Sequence, residues 1–582
     1  MNLKLTLFVL ITPVASTSVH CQEQIQSQEQ IEAPDSAIIS DINGINFISG
    51  RVSTDIYKLK LGDGQEYQIY KQGSNWRDSL SFSLYNGGGY YSDNGQADGE
   101  KTGTLVASLG NYSNSFAYPY NFQNLSFSPI VKDGATFEND EESGIYTLTL
   151  SDGTQATSSA NTITKVVRPN GEILTFTRSP TFRTISSSMG YMFKIKFDSG
   201  GKLSNVVAIN TSVDYCSIES IDCPSLTHDW PKILIDYTDS VPGQSSMQFV
   251  TDSHGTIYGF RSFFENNLNK STMSVNGEDK VTYSVNPNDS SFRVVNVLRD
   301  GKQWTYDWTE TAYVVPYPLG RKILKLGVTV TGPSGYSSTV VSQISDGQIL
   351  ENIDELGRVW RRIYDLGGRL HYLVPPEGVL NSDGVPISGF TQFDHDDRGN
   401  IIQVMKVPKA SSGASSIVTS AGFDTICNNR KTCNQPNWTK DANGNRTDYT
   451  YHPNSGGIVS KMEPSAQAGG SRPLTLFEYI PRFAWLKNQG GLLVQSTDAV
   501  WMLSRTTECQ TVIGGSTPAC DANSNSIVTT YEYGGAGTRE SLLVKGVRRV
   551  AGGVTLRTCY TYDIYNRRIS ETTPRANLSS CP

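Results

Sequence analysis

The sequence predicts an all-β protein built from irregular antiparallel hairpins, and three observations carry that expectation. The 582-residue chain holds 53 Gly and 29 Tyr but only 18% charged and 37% hydrophobic residues, a composition of many turns and half-buried aromatic strands rather than amphipathic helices. Apolar residues recur at every second position in short runs, each stopped by a cluster of Asp, Asn and Gly. Residues 352–373 (NIDELGRVWRRIYDLGGRLHYL) then write one pattern twice, as Asp354 to Gly357-Arg358 and as Tyr364-Asp365 to Gly368-Arg369-Leu370. An Asp side chain can bond the backbone two residues on, and Gly accepts the positive φ of a tight reversal, so each copy is expected to turn one hairpin.

Taken in order, the chain opens with one Lys, an apolar run from Leu5 to Val14 and then small residues. This is the layout of a secretory signal peptide, assigned to residues 1–21. Cys21 follows the apolar run, but Ser18-Val19-His20 before it makes a poor lipidation site. No later segment reaches transmembrane length. Residues 22–45 are rich in Gln and Glu without a sustained apolar period and read as a flexible leader. From about residue 46 the period-two pattern begins: Tyr57, Leu59 and Leu61 precede Gly62-Asp63-Gly64, and Tyr67 and Ile69 follow. Residues 85–99 (YNGGGYYSDNGQADG) read as an exposed, mobile loop.

Hairpin signals continue at Asp152-Gly153, Asn170-Gly171, residues 198–201, residues 252–255 and Asp300-Gly301. Their uneven spacing argues against a propeller, whose blades repeat at roughly 40 to 50 residues, and against a strict β-helix. The division falls into a divergent β-rich region over 46–344 and a repeat region over 345–582. Looser copies of the opening pattern occur there at Asp397-Gly399-Asn400, Asp441-Gly444-Asn445 and Tyr562-Asp563-Asn566-Arg567. Asn566 stands where the others have Gly, and Asn tolerates left-handed φ. Only residues 491–503 raise the question of a helix.

Eight cysteines fall into neighbouring couples: Cys216 with Cys223, Cys427 with Cys433, Cys509 with Cys520, and Cys559 with Cys581. After a signal peptide such couples read as disulfides of an oxidising compartment. Zinc is not expected, since there is no CxxC and no nearby His pair. The net charge of -7 and the lack of a basic stripe exclude a nucleic-acid-binding footprint.

The copies resemble the YD repeat of the Rhs family, whose pattern of Tyr-Asp, spacers and Gly-Arg-Leu falls on Tyr364, Asp365, Gly368, Arg369 and Leu370, with Asp354, Gly357 and Arg358 beside it. The resemblance covers about residues 345–582. It implies a spiralling shell of antiparallel strands that encloses a toxin or forms part of a cell-surface protein. The Asp-Pro-containing core of that family is missing, no toxin domain is expected after Pro582, and the shell is therefore expected to be open or partial. The partner so implied is a separate core or toxin polypeptide.

Catalytic patterns are scarce. None of the six His lies in a metal-ligand spacing, and His395 between Asp394 and Asp396 is expected in a solvated turn. Asp521, Asn523 and Asn525 with Glu532 mimic a calcium loop, but Ser526 stands where the loop needs Gly; Asp441, Asn443 and Asn445 suit a hairpin turn equally well. No GxSxG elbow or phosphate loop is present. Trp304, Tyr306 and Trp308 share one strand face, as a core face or as a sugar-stacking platform. The expected function is a secreted, periplasmic or surface-located structural protein with no enzymatic activity and no cofactor. The alternative is a carbohydrate-binding module whose partner is a cell-surface glycan.

Overall fold

The computed structural model describes residues 40–582 apart from short interruptions, the longest at 92–100, 120–126, 239–245 and 315–321. The signal segment and residues 22–39 lie outside the described residues. Among the described residues forty-three strands and two short 3-10 turns make up the regular structure, so the all-β expectation is met. One antiparallel strip runs from Thr136–Asp140 to Arg568–Glu571, with each strand paired to its neighbour in the chain. Two small hairpins are inserted without breaking it: Val379–Leu380 with Pro386–Ser388, and Trp485–Lys487 with Leu493–Gln495. Among the described residues no register joins the last strand to the first, so the strip is wound and not closed. It crosses 344/345 unbroken, because Ser337–Gln343 pairs with Ile349–Ile353.

The strip differs in thickness along its length. Near its start a small sheet (Ser53–Leu61, Gln65–Gln72, Asn75–Asp78) covers it, and Leu59, Leu61, Tyr67 and Ile69 are buried against Phe193, Ile195, Val206 and Ile233. The strand Tyr191–Phe197 is apolar at odd and even positions, and its first five residues are buried, as a strand covered on both faces requires. Its buried charge, Lys194, donates to the carbonyls of Ile218 and Ser220 and lies 5.0 Å from the centre of the Phe182 ring. Burial, helped by Lys196, pushes this ammonium down to about 8. Further along, the strip thins to a wall. Every residue of Val359–Tyr364 and of Ile527–Tyr533 is half-buried, so neither face of those strands is sealed.

Four expectations need correction. Residues 85–91 are not a loop: the strand Phe82–Tyr91 pairs with Lys101–Leu109, with a register shift between Asn86 and Gly88. Glycine permits a bulge there, and flanking Tyr residues favour extended backbone; residues 92–99 lie outside the described residues. Residues 491–503 form strands, Leu493–Gln495 and the start of Val500–Gln510.

The third correction concerns the end of the leader. The Tyr306 hydroxyl donates to Asp41, Asn43 Nδ2 donates to Tyr306 at 2.8 Å, and Tyr283 donates to the Asn43 carbonyl at 3.2 Å. Ile45 and Phe47 enter a core with Val281, Val297, Val328 and Val340. The same contacts settle the aromatic triplet. Tyr306 is buried and Trp304 and Trp308 pack on that core, with Trp308 Nε1 donating to the Val294 carbonyl at 2.7 Å, so the face offers no sugar platform. Fourth, His395 ends the strand Phe390–His395 and is half-buried instead of solvated; burial, then the positive charge of Arg369, holds its imidazole below its ordinary value.

Candidate functional site: the seam of Asp-Gly turns

Each repeat copy folds into the same turn. In the best copy Asp365 Oδ1 accepts the backbone N–H groups of Gly367 and Arg369, both at 2.9 Å, and Oδ2 accepts Arg369 Nε at 2.7 Å. The backbone closes with Asp365 N–H to the Arg369 carbonyl at 2.8 Å and Gly368 N–H to the Asp365 carbonyl at 3.1 Å. Gly368 has φ 72°, the left-handed residue that ends a three-residue hairpin loop. The register shift before Tyr364, which faces Leu370, accommodates the extra residue. Asp354 repeats the bonds to Leu356 and Arg358 (3.0, 2.8 and 2.6 Å) with Gly357 at φ 76°. Asp563 repeats them to Tyr565 and Arg567 (2.8, 2.9 and 2.7 Å), and Asn566 takes φ 61° in place of Gly. At Asp396, and not at the neighbouring Asp397 that the sequence pointed to, and at Asp441 the side chains of Asn400 and Asn445 replace the arginine, each at 2.8 Å, and Gly444 has φ 83°.

The acidic residue is thus a turn maker. Burial opposes ionisation of Asp365, but hydrogen bonds from the Arg369 side chain and backbone outweigh it and hold the carboxyl below its ordinary value. The preceding tyrosine has a separate task. Tyr364 donates to the Ile349 carbonyl at 2.8 Å and Tyr562 to the Val544 carbonyl at 2.7 Å, tying each turn to a strand 15 and 18 residues back.

On one rim of the strip these turns meet an earlier coil. Lys132 N–H donates to the Gly367 carbonyl at 3.0 Å, Trp501 N–H to the Asn170 carbonyl at 2.8 Å, and Lys487 N–H to the Thr211 carbonyl at 2.8 Å. Asn434 Nδ2 donates to the Ser151 carbonyl at 3.1 Å, Asn210 Nδ2 to the Ile564 carbonyl at 3.0 Å, and the Tyr565 hydroxyl to the Asp229 carbonyl at 2.9 Å. The last three span 283, 354 and 336 residues. Apart from Lys487, which belongs to the inserted hairpin, residue numbers rise together on both sides, so successive coils lie rim to rim in the same sense. Contact is close enough that a Cβ on Gly399 would run into the Lys132 carbonyl oxygen, and one on Gly153 would stand 2.9 Å from Lys431 Cα. On the opposite rim, Gly357 and Gly444 have nothing within 4 Å of an added Cβ.

Of the four disulfides among the described residues, two lie at this seam. Cys427 is bonded to Cys433 and Cys216 to Cys223; Cys509 is bonded to Cys520 and Cys559 to Cys581 elsewhere. Arg398 fastens the Cys427–Cys433 loop by donating to the carbonyls of Asp424, Thr425 and Cys433 and to Asn434 Oδ1. The Cys216–Cys223 loop is flanked by Asp214, a buried carboxylate no sequence signal singled out. It accepts Thr227 N–H (3.0 Å) and Oγ1 (2.6 Å), His228 N–H (3.1 Å) and Trp230 Nε1 (2.9 Å), with His228 Nδ1 at 3.1 Å. Trp230 in turn meets Tyr565 of the later coil edge to face at 5.4 Å. Half-buried Arg183 donates to Asp78 and, at 3.1 Å, to Tyr67, locking the small covering sheet to the strip.

None of this builds a metal or nucleophile centre. Among the described residues no group of three His, Cys, Asp or Glu side chains could hold a metal ion. Glu532 sits in the strand Ile527–Tyr533, paired with Arg557 at 2.7 Å, and Asp521 accepts Asn523 N–H at 3.0 Å, an ordinary turn instead of a calcium loop. No helix among the described residues is long and apolar enough to cross a membrane.

No family model matches the chain, and no curated protein matches it. Among solved structures, TcdB2-TccC3-Cdc42 aligns with 86% of this chain and 27% of its own at 9% identity and a TM-score of 0.33. TcdB2-TccC3 without its hypervariable C-terminal region aligns with 95% of this chain and 28% of its own at 11% identity and a TM-score of 0.28. This chain therefore spans less than a third of either. Likeness at this level assigns neither fold nor function.

Proposed function

We propose that this chain is a secreted, non-catalytic structural protein of the YD-repeat kind, whose wound strip forms part of a shell around a separate core or toxin polypeptide. The observation that supports this reading is the contrast between rims and faces. Coils hold one another through their turns, while the thin wall strands keep both faces half-open, an arrangement suited to enclosing a volume and poor for building a solid core. The paired cysteines suit an oxidising compartment. The repeated Asp, Gly and Arg residues serve the turns and are not set aside for chemistry.

Small-angle X-ray scattering tests the reading directly. A solid globule of 582 residues has a radius of gyration of roughly 25 Å. The expected result is a clearly larger value with a pair-distance distribution depleted at its centre. A radius at the solid-globule value with a single central maximum would refute the shell.

A further inference from the structure

We infer that the coil-to-coil seam is redox-gated: the disulfide-closed loop 427–433 is a knuckle that holds the later coil on the earlier one only while its disulfide is intact. The inference rests on the seam's geometry and not on the shell reading.

The loop is short, its bonded cysteines at a sequence separation of 6, and it faces three ways. Toward the earlier coil, Lys431 backs onto Gly153 and Asn434 bonds the Ser151 carbonyl. Toward the next turn of its own coil, Asn429 Nδ2 donates to the Pro453 carbonyl at 2.9 Å, Lys431 Nζ to the Asn454 carbonyl at 2.6 Å, and Gln435 Nε2 to the Gly456 carbonyl at 2.7 Å. Toward the preceding turn it takes the Arg398 guanidinium. Most of these bonds end on backbone carbonyls or Cα atoms, so they hold only if the loop backbone keeps its path. That path has no strand ladder to fix it, because residues 423–437 lie between the strands Ile417–Gly422 and Trp438–Lys440. The cross-link restricts it, together with local turn bonds from Thr432 and Cys433 N–H to the Asn429 carbonyl at 3.0 and 2.9 Å. The Cys216–Cys223 loop is held within the earlier coil, its Ile218 carbonyl accepting Thr184 Oγ1 at 2.9 Å.

Access is one-sided. Cys433 is fully buried and Cys427 is half-buried, so an incoming thiolate reaches the Cys427 sulfur. A dithiol reductant supplies both electrons. Its first thiolate bonds to Cys427 Sγ and expels the Cys433 thiolate, which takes a proton. Its second thiolate then attacks its own first sulfur and expels the Cys427 thiolate, which is protonated in turn; two cysteine thiols and a cyclic oxidised reductant remain.

Hydrogen exchange read by mass spectrometry on the full chain, with and without dithiothreitol, tests the gate. The expected result is a rise of roughly tenfold or more in exchange at residues 150–154 and 396–400, which contain no cysteine. The double variant Cys427→Ser with Cys433→Ser should show the same rise without reductant, and Cys509→Ser with Cys520→Ser should not. A rise confined to residues 427–433 would overturn the inference, and so would simultaneous exchange of all strands. Should the double variant fail to fold, the dithiothreitol titration of the natural chain decides by the same peptides.

Discussion

Gly399→Val will lower stability by roughly 3 kcal/mol or more, whereas Gly357→Val will cost only about 1 to 2 kcal/mol. Both glycines sit at the same place in the same turn, at φ 93° and 76°, and any side chain in that region bears a backbone penalty that a β-branched one increases. The difference lies beyond the turn. At Gly357 an added Cβ meets nothing within 4 Å, while at Gly399 it runs into the Lys132 carbonyl oxygen and approaches Asp133 Cα within 3.2 Å. Backbone cannot swing aside as a side chain can, so the coils must part or the turn must change shape. Gly357→Asn should be nearly neutral, because Asn566 already performs that task at φ 61°. Urea unfolding midpoints compare the variants; equal losses at positions 357 and 399 would mean that the rim contact carries no energy.

The pair also marks what the sequence reveals and what it hides. Hairpins are legible because their determinants are local: period-two apolar runs, an Asp that bonds within four residues, and Gly or Asn three positions after it. Gly368→Val is therefore expected to loosen its turn on sequence grounds alone, through positive φ. Gly357 and Gly399 look alike in the chain because the Lys132 carbonyl that separates them is supplied by another coil. Contacts such as Asn434 to Ser151, 283 residues apart, leave no periodic mark. The Gly-rich stretch at 85–91 misleads for the opposite reason: glycine signals a turn when read locally, but between tyrosines and across from Lys101–Leu109 it makes a bulged strand. The strand Lys302–Val314 shows a third limit. Its alternation announces a one-sided aromatic face, but only the packed segment around Asn43 and Ile45 tells that the face is covered.

Asp214 is the clearest case of a residue whose importance is set entirely by its surroundings, and Asp214→Ala is expected to cost roughly 3 kcal/mol or more. The substitution strips the acceptor from the buried Trp230 indole N–H, from Thr227 N–H and Oγ1, and from His228 N–H; Thr227 and His228 are exposed and can turn to water, whereas the Trp230 N–H is left buried without a partner. Because Trp230 lies edge to face with Tyr565, the loss should spread across the seam and quicken proteolysis near residues 563–567. The carboxylate also imposes a pH dependence. Burial alone would favour its neutral form, but the bonds from Thr227, Trp230 and His228 prevail and hold it down to about 2. A carboxyl whose folded value lies below its unfolded value near 4 stabilises fully above that unfolded value, and the contribution fades as pH falls toward the folded one. The natural chain should accordingly lose about 2 kcal/mol from this group between pH 4 and pH 2, and Asp214→Asn should lack that component. Parallel stability profiles for the two proteins across this window would show that the Asp214 carboxyl has the same pKa folded and unfolded, so that its bonds do not hold it down.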